Sequence, residues 1–203
     1  LKAICAEASR KHNIEVIPVE SSGFIGNKSA GYRAAADALL TLIKPQEEAP
    51  IIKTDSINYL GDFNLAGEAW IIHNYLREMG IDINVTFTGD SDYEALKLAP
   101  KAKLNIIQCA GSMIYLAGKM EELYGIPYIQ ISFLGIEDTA ASLRKIAEAM
   151  GDESTLHKTE ELIARETNRV ETIIKGYCSK LQGKKAAVYV GGGFKAISLI
   201  KQF

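Results

Sequence analysis

From residue 51 to residue 150 the chain switches repeatedly between short apolar runs and longer amphipathic stretches, and that alternation restricts it to a parallel α/β sheet. Strand patterns at 56–60, 82–88, 104–108 and 128–131 alternate with helical patterns at 65–79, 91–98, 112–124 and 139–150. Right-handed crossovers would lay helices on both faces, giving a Rossmann-like open parallel sheet with flanking helices. Ligands in such sheets bind outside the carboxyl ends of the strands, so the βα loops are the expected functional positions.

The flanking segments suggest further domains. Residues 1–45 combine a helix through Ser9-Arg10-Lys11, a short strand at 16–19, a Gly-rich turn and a second helix at 31–43, the expected end of a first α/β domain. Pro45-Gln46-Glu47-Glu48-Ala49-Pro50 is a linker, because proline resists helix continuation. Residues 51–152 then form a complete middle domain. Residues 153–183 are a polar helical connection, interrupted near Gly176 and ended by Gly183. Residues 184–203 begin a third domain with a buried strand at 186–190, Gly191-Gly192-Gly193 and a helix from Phe194. Without an initiator Met, and with helical patterns at both ends, the sequence is expected to be an excerpt of a longer multi-domain chain.

Several function classes are disfavoured. A net charge of -2 and a pI near 6.0 provide no field for a polyanion, so no nucleic-acid partner is expected. No apolar stretch approaches the roughly 20 residues that cross a bilayer, and Leu1-Lys2-Ala3-Ile4-Cys5 is no signal peptide. No membrane association and a cytoplasmic location are the expectation. Cys5, Cys109 and Cys178 never form a CxxC pair, so neither a disulfide framework nor a self-contained metal site is written here. His12, His73 and His157 lack ligand spacing and are expected to be structural or solvated.

Three loops could carry chemistry. Gly191, Gly193 and Ala196 satisfy GxGxxA between a strand and a helix, which suits a dinucleotide pyrophosphate, with a tight turn whose amides meet another anion or nothing preferred. Cys109 ends a strand just before Ala110-Gly111-Ser112 opens a helix, where amides favour the thiolate that ligates soft metals, although on pattern alone a buried inert thiol is preferred. Asp62, in Gly61-Asp62-Phe63-Asn64, is a functional acid or a helix cap, with capping preferred, and the same holds for Gly89-Asp90-Ser91-Asp92-Tyr93.

Taken together, Ser22-Gly23-Phe24-Ile25-Gly26-Asn27-Lys28, Gly61-Asp62-Phe63-Asn64-Leu65-Ala66-Gly67-Glu68-Ala69-Trp70, Cys109 with Ser112-Met113, Met120-Glu121-Glu122-Leu123-Tyr124-Gly125-Ile126-Pro127, Gly135-Ile136-Glu137-Asp138-Thr139 with Ser142-Leu143-Arg144, and Tyr189-Val190-Gly191-Gly192 resemble the α-type chains of the nitrogenase component 1 family. The resemblance implies three α/β domains around a cofactor cavity. It implies that Cys109 ligates a terminal iron of the iron-molybdenum cofactor or of its iron-sulfur precursor. Phe63, Leu65, Ser112 and Phe133 would lie near that group, and the backbone of Gly191 and Gly192 would approach it.

Two departures separate branches of the family. Tyr32 stands where catalytic chains have a cofactor-bonding histidine, and Gly111 stands where they have an arginine. Asn27-Lys28 and Gly135-Ile136-Glu137-Asp138-Thr139 lean toward the NifE-type assembly branch, a scaffold more than a turnover enzyme. That branch implies a NifN-type β subunit in a heterotetramer, an interface 4Fe-4S cluster whose cysteines lie outside this stretch, and transient contact with the nitrogenase iron protein and cluster donors. One thiolate cannot close a site, so this excerpt is expected to hold no cluster by itself. The alternatives are a catalytic nitrogenase-like reductase α subunit and a dinucleotide-binding enzyme using the Gly191 loop.

Overall fold

The computed structural model describes residues 1–24, 26–44, 50–62, 68–108, 110–190 and 193–202. Helices α1 (Lys2–His12) and α2 (Lys28–Ile43) precede strand β1 (Ser56–Asp62), α3 (Glu68–Glu78), β2 (Asp82–Thr88) and α4 (Tyr93–Leu96). After a 3-10 turn at Ala99–Lys101 come β3 (Leu104–Ile107), α5 (Ala110–Tyr124), β4 (Tyr128–Gln130), α6 (Ile136–Met150), α7 (Glu153–Leu181) and α8 (Gly193–Ile200). The four strands form one sheet in the order β2-β1-β3-β4, with β1 and β3 parallel. The expected open α/β sheet with flanking helices is present.

The chain divides into two compact units, Leu1–Phe63 with Ile83–Tyr128, and Asn64–Asp82 with Ile129–Phe203. In the first, Leu60, Val85, Phe87 and Ile107 of the sheet pack on Ala36 and Ile43 of α2 and on Met113, Leu116, Ala117 and Met120 of α5. Ile57, Tyr59 and Ile106, which alternate with those positions along the strands, are equally buried. Burial on both faces explains why these strands read as continuous apolar runs.

In the second unit α6 packs along α7, and α3 packs on α7 as well. The apolar face of α6 is Leu143, Ile146, Ala147 and Met150, the helical spacing that a one-sided helix needs. Gly151, at φ 73°, closes α6 with its N–H on the Ala147 carbonyl, and Asp152 caps α7 by accepting from the Thr155 N–H at 2.7 Å. Arg165 bonds Glu78 of α3 at 2.7 Å, and the Tyr75 hydroxyl donates to Glu166.

Four local expectations change. Residues 16–19 form no strand, since Pro18 removes a ladder donor and the Val16 N–H is already donated to Ser9 Oγ. The helix expected at 91–98 shrinks to α4 because Pro100 enforces a 3-10 turn; Asp92 caps it by accepting from the Ala95 N–H at 2.8 Å. α7 runs unbroken through Gly176, where glycine costs only about 1 kcal/mol, and Gly183 follows its end at φ 73°. Residues 186–190 are not a buried strand: no neighbouring strand pairs with them among the described residues, and Tyr189 is fully exposed. An unpaired strand leaves its backbone to water. No described helix is long and apolar enough to cross a membrane.

Candidate functional site

The strand order places a topological switch point between β1 and β3, because the chain leaves β1 for β2 on one side and returns to β3 on the other. A ligand crevice is expected outside the carboxyl ends of those two strands. Leu60 pairs with Ile107, the Gln108 N–H donates to the Leu60 carbonyl at 2.9 Å, and the Tyr59 hydroxyl donates to Gln108 Oε1. The two strand ends are therefore tied side by side. Phe63 and Leu65 follow the end of β1 in sequence, and Cys109 falls between the end of β3 and the start of α5.

Cys109, Phe63 and Leu65 themselves lie outside the described residues, as do Gly191 and Gly192. Ser112 is described: it stands in the first turn of α5 and is buried. A Cβ added at the adjacent Gly111 would meet nothing within 4 Å, so the start of α5 borders open space. Tyr32 is half-buried on α2 with Lys28 Nζ 5.3 Å from its ring centroid. Cys5 is buried on α1, and Cys178 is exposed on α7 with its thiol donating to the Ile174 carbonyl one turn back. Among the described residues no group of three or more His, Cys, Asp or Glu side chains could hold a metal ion. The strand that the GxGxxA reading requires before its glycines is absent from the described residues, which removes half of the nucleotide-binding context.

Phe133 belongs to the second unit, where it follows β4 and is half-buried. Its segment is fastened by one side chain. Ser142 Oγ accepts from the Ser132 N–H and donates to the Ser132 carbonyl, both at 2.8 Å, and both serines are buried. Ser142→Ala would strand two backbone groups away from water. A loss of about 2 kcal/mol is expected in the unfolding free energy measured by urea denaturation, and a loss near zero would show that this tie contributes nothing.

Next along α6, Asp138 accepts from Lys201 Nζ at 2.8 Å and from the Ser198 hydroxyl. Lys201, then Ser198, hold its carboxyl below the usual carboxylate range, against a smaller opposing effect of burial. Sequence reasoning gave no role to Asp138, Ser142, Ser198 or Lys201. The helical spacing of 138 with 142 and of 198 with 201 marks each pair as sharing a helix face, but the partners are 60 residues apart.

Comparison with known proteins bears on both halves. Residues 1–202 match the family model described as nitrogenase component 1 type oxidoreductase. A Clostridium pasteurianum protein named nitrogenase iron-molybdenum cofactor biosynthesis protein NifE is 55% identical, covering 99% of this chain and 44% of its own length. The nitrogenase molybdenum-iron protein alpha chain of the same organism is 38% identical over 94% of this chain and 36% of its own length. A solved structure titled nitrogenase Cp1 at pH 5 superposes with a TM-score of 0.87 at 36% identity, over 98% of this chain and 40% of that one. The chain thus spans less than half the length of the relatives it matches.

Proposed function

Because this chain belongs to the nitrogenase component 1 type oxidoreductase family, we propose that it is part of a scaffold subunit on which an iron-sulfur precursor is matured toward the iron-molybdenum cofactor. The observation that carries this reading is the ordering of identities within one organism, 55% to the cofactor-biosynthesis protein against 38% to the molybdenum-iron protein alpha chain. Gly111 and Tyr32 point the same way. Glycine at residue 111 carries no guanidinium where the catalytic branch is expected to place one.

The precursor is cargo, and the donor set fits its attachment. Among three thiols, only Cys109 falls between a strand end and a helix start at the switch point, where helix-terminal amides favour the thiolate that iron prefers. In this reading Cys109 anchors the cluster, Phe63, Leu65 and Phe133 exclude water, and Ser112 and the amides of Gly191 and Gly192 present dipoles to its sulfides. Such surroundings tune a cluster without supplying ligands. The full protein would be cytoplasmic, with a first domain through residue 45, a middle domain over 51–152, a helical connection to 183 and a third domain from 184. It would pair with a NifN-type β subunit in a heterotetramer that shares a 4Fe-4S cluster, and would meet the nitrogenase iron protein and cluster donors transiently.

Co-purification of the full-length protein with a candidate β subunit, followed by iron and sulfide analysis, tests the assignment. The expected product is a two-subunit complex that loads a precursor and passes it to an apo-acceptor without reducing small substrates. Electron-dependent substrate reduction by the purified complex would place the chain in the catalytic branch instead.

A further inference from the structure

We infer that α7 serves two layers at once: its first half packs with α6 and α3, and its second half is the docking face for the remainder of the third domain. The inference rests on the reading above that such a domain opens at residue 184. α7 has 29 residues and is about 43 Å long, whereas α6 has 15 and reaches about 22 Å. The cover over α7 therefore stops near its middle. Ile136 and Glu137, which begin α6, line one groove with Asn168 and Glu171 of α7, and the bonds to α3 lie at Arg165 and Glu166. Up to that point Thr155, Thr159, Leu162 and Ile163 are buried along one side of the helix. Steps of three and four residues continue that side from Ile163 through Glu166 and Val170 to Ile174, Tyr177 and Leu181, with Ile173 beside them. Here the same side is bare: Ile173, Ile174, Tyr177 and Leu181 are 56%, 46%, 55% and 59% exposed. The opposite side carries Thr172, Lys175, Gly176 and Ser179, so the second half is as one-sided as a helix that packs on a further layer.

The order of elements identifies that layer. Residues 182–185 are the whole connection from α7 to the strand pattern at 186–190, within the roughly two to six residues usual between a helix and a strand of one α/β unit. Gly183, at φ 73°, turns the chain there, and the Lys184 N–H donates to the Leu181 carbonyl at 2.9 Å. A helix joined to a strand by so short a turn lies against the sheet that the strand enters. No strand pairs with 186–190 among the described residues, and Tyr189 is exposed together with Ile197 and Ile200 of α8. The bare stripe of α7, the unpaired strand pattern and the bare side of α8 thus follow one another as an αβα unit, and one sheet would cover all three. That shared need favours the chain's own remaining strands over a second protein, which would have to supply both a ladder and a face. The length is available, since this chain spans 44% of the Clostridium pasteurianum cofactor-biosynthesis protein. Because α7 runs unbroken through Gly176, packing at both halves fixes the angle between the two layers, and α7 is a strut in place of a flexible connection.

The test uses the full-length protein in its two-subunit complex, with the photo-crosslinker p-benzoylphenylalanine in place of Tyr177, which keeps an aromatic ring at that position. Irradiation is expected to join position 177 to residues of the same chain beyond 203, in a product of single-chain mass. The same group in place of Ser179, on the polar side, should give about tenfold less of that product. A link to the β subunit or to a second copy overturns the inference, as do equal yields from the two positions or no link at all. In parallel, Ile174→Ala is expected to raise hydrogen exchange of the 186–190 amides about tenfold, with Ser179→Ala at the wild-type rate. Unchanged exchange in Ile174→Ala overturns the claim that the stripe supports that sheet. Wild-type 186–190 amides that exchange as fast as in an unfolded chain defeat the third-domain reading and the docking with it. A complex that reduces small substrates defeats the scaffold reading alone, and the crosslink still decides what covers α7.

Discussion

Replacing Cys109 with alanine in the full-length complex is expected to abolish retention of the precursor cluster while leaving the protein folded. On the proposed reading Cys109 has no substitute, since Cys5 is buried within α1 and Cys178 stands on the exposed side of α7. A thiolate-to-iron bond is among the strongest single interactions a soft-metal site offers, and neither a methyl group nor a bound water replaces it. The fold should survive, because a residue in the loop between β3 and α5 contributes far less than the layers of α2, α5 and the sheet behind it. Cys5→Ala and Cys178→Ala serve as controls: both should keep full cluster content, with Cys5→Ala losing about 1 kcal/mol for its small cavity. Iron content and the cluster's paramagnetic signal, compared at equal folded protein, decide the matter. A full signal from Cys109→Ala would remove the anchor and the main residue-level support for a cluster scaffold.

The largest stability effect should come from a polar residue in the sheet. Asn58 is 0% exposed in the middle of β1, and its amide donates to the Ala99 carbonyl at 2.9 Å and to Asn105 Oδ1 of β3 at 2.8 Å. Its own carbonyl accepts from Asn84 of β2 at 3.1 Å, and Asn84 donates again to the Leu98 carbonyl at 2.7 Å. One asparagine from each of three neighbouring strands thus forms a single satisfied row. Alanine at residue 58 would leave the Ala99 carbonyl and the Asn105 amide oxygen without their donor, and one Asn84 N–H without its acceptor. Each stranded buried group costs about 1–3 kcal/mol, so a total near 4 kcal/mol is expected, with partial relief because Asn84 reaches solvent. Chemical denaturation reads this directly. A cost below about 1 kcal/mol would mean that the row contributes no net stability.

The asparagine row also illustrates what a linear reading misses. Asn58, Asn84 and Asn105 interrupt apolar runs and look like defects until the register Asn58↔Asn105 sets them side by side. A slip of one residue would turn every side chain to the opposite face and strand these amides. The same holds at Asp138, whose neighbours in sequence suggest only a favourable charge at a helix start. Its partners Ser198 and Lys201 arrive from a helix that no local pattern connects to α6. The Gly135-to-Thr139 motif was legible as a family mark, and its physical content, a left-handed glycine beside a carboxylate bonded to Ser198 and Lys201, was not.

Local chemistry sufficed wherever the determining forces act within a few residues. The short apolar runs and helical hydrophobic patterns specified β1 to β4 and α5 to α7, and the cap at Asp92 followed from a short side chain reaching the nearest free amide. Long-range pairing lay beyond such patterns. The order β2-β1-β3-β4, and with it the switch point beside Cys109, depends on which strands meet, and residues 186–190 carry every local mark of a strand yet form none without a neighbour to complete the ladder. Hydrophobic periodicity encodes which face a segment buries, whereas the partner for that face is chosen only when distant segments compete for it in the folded chain.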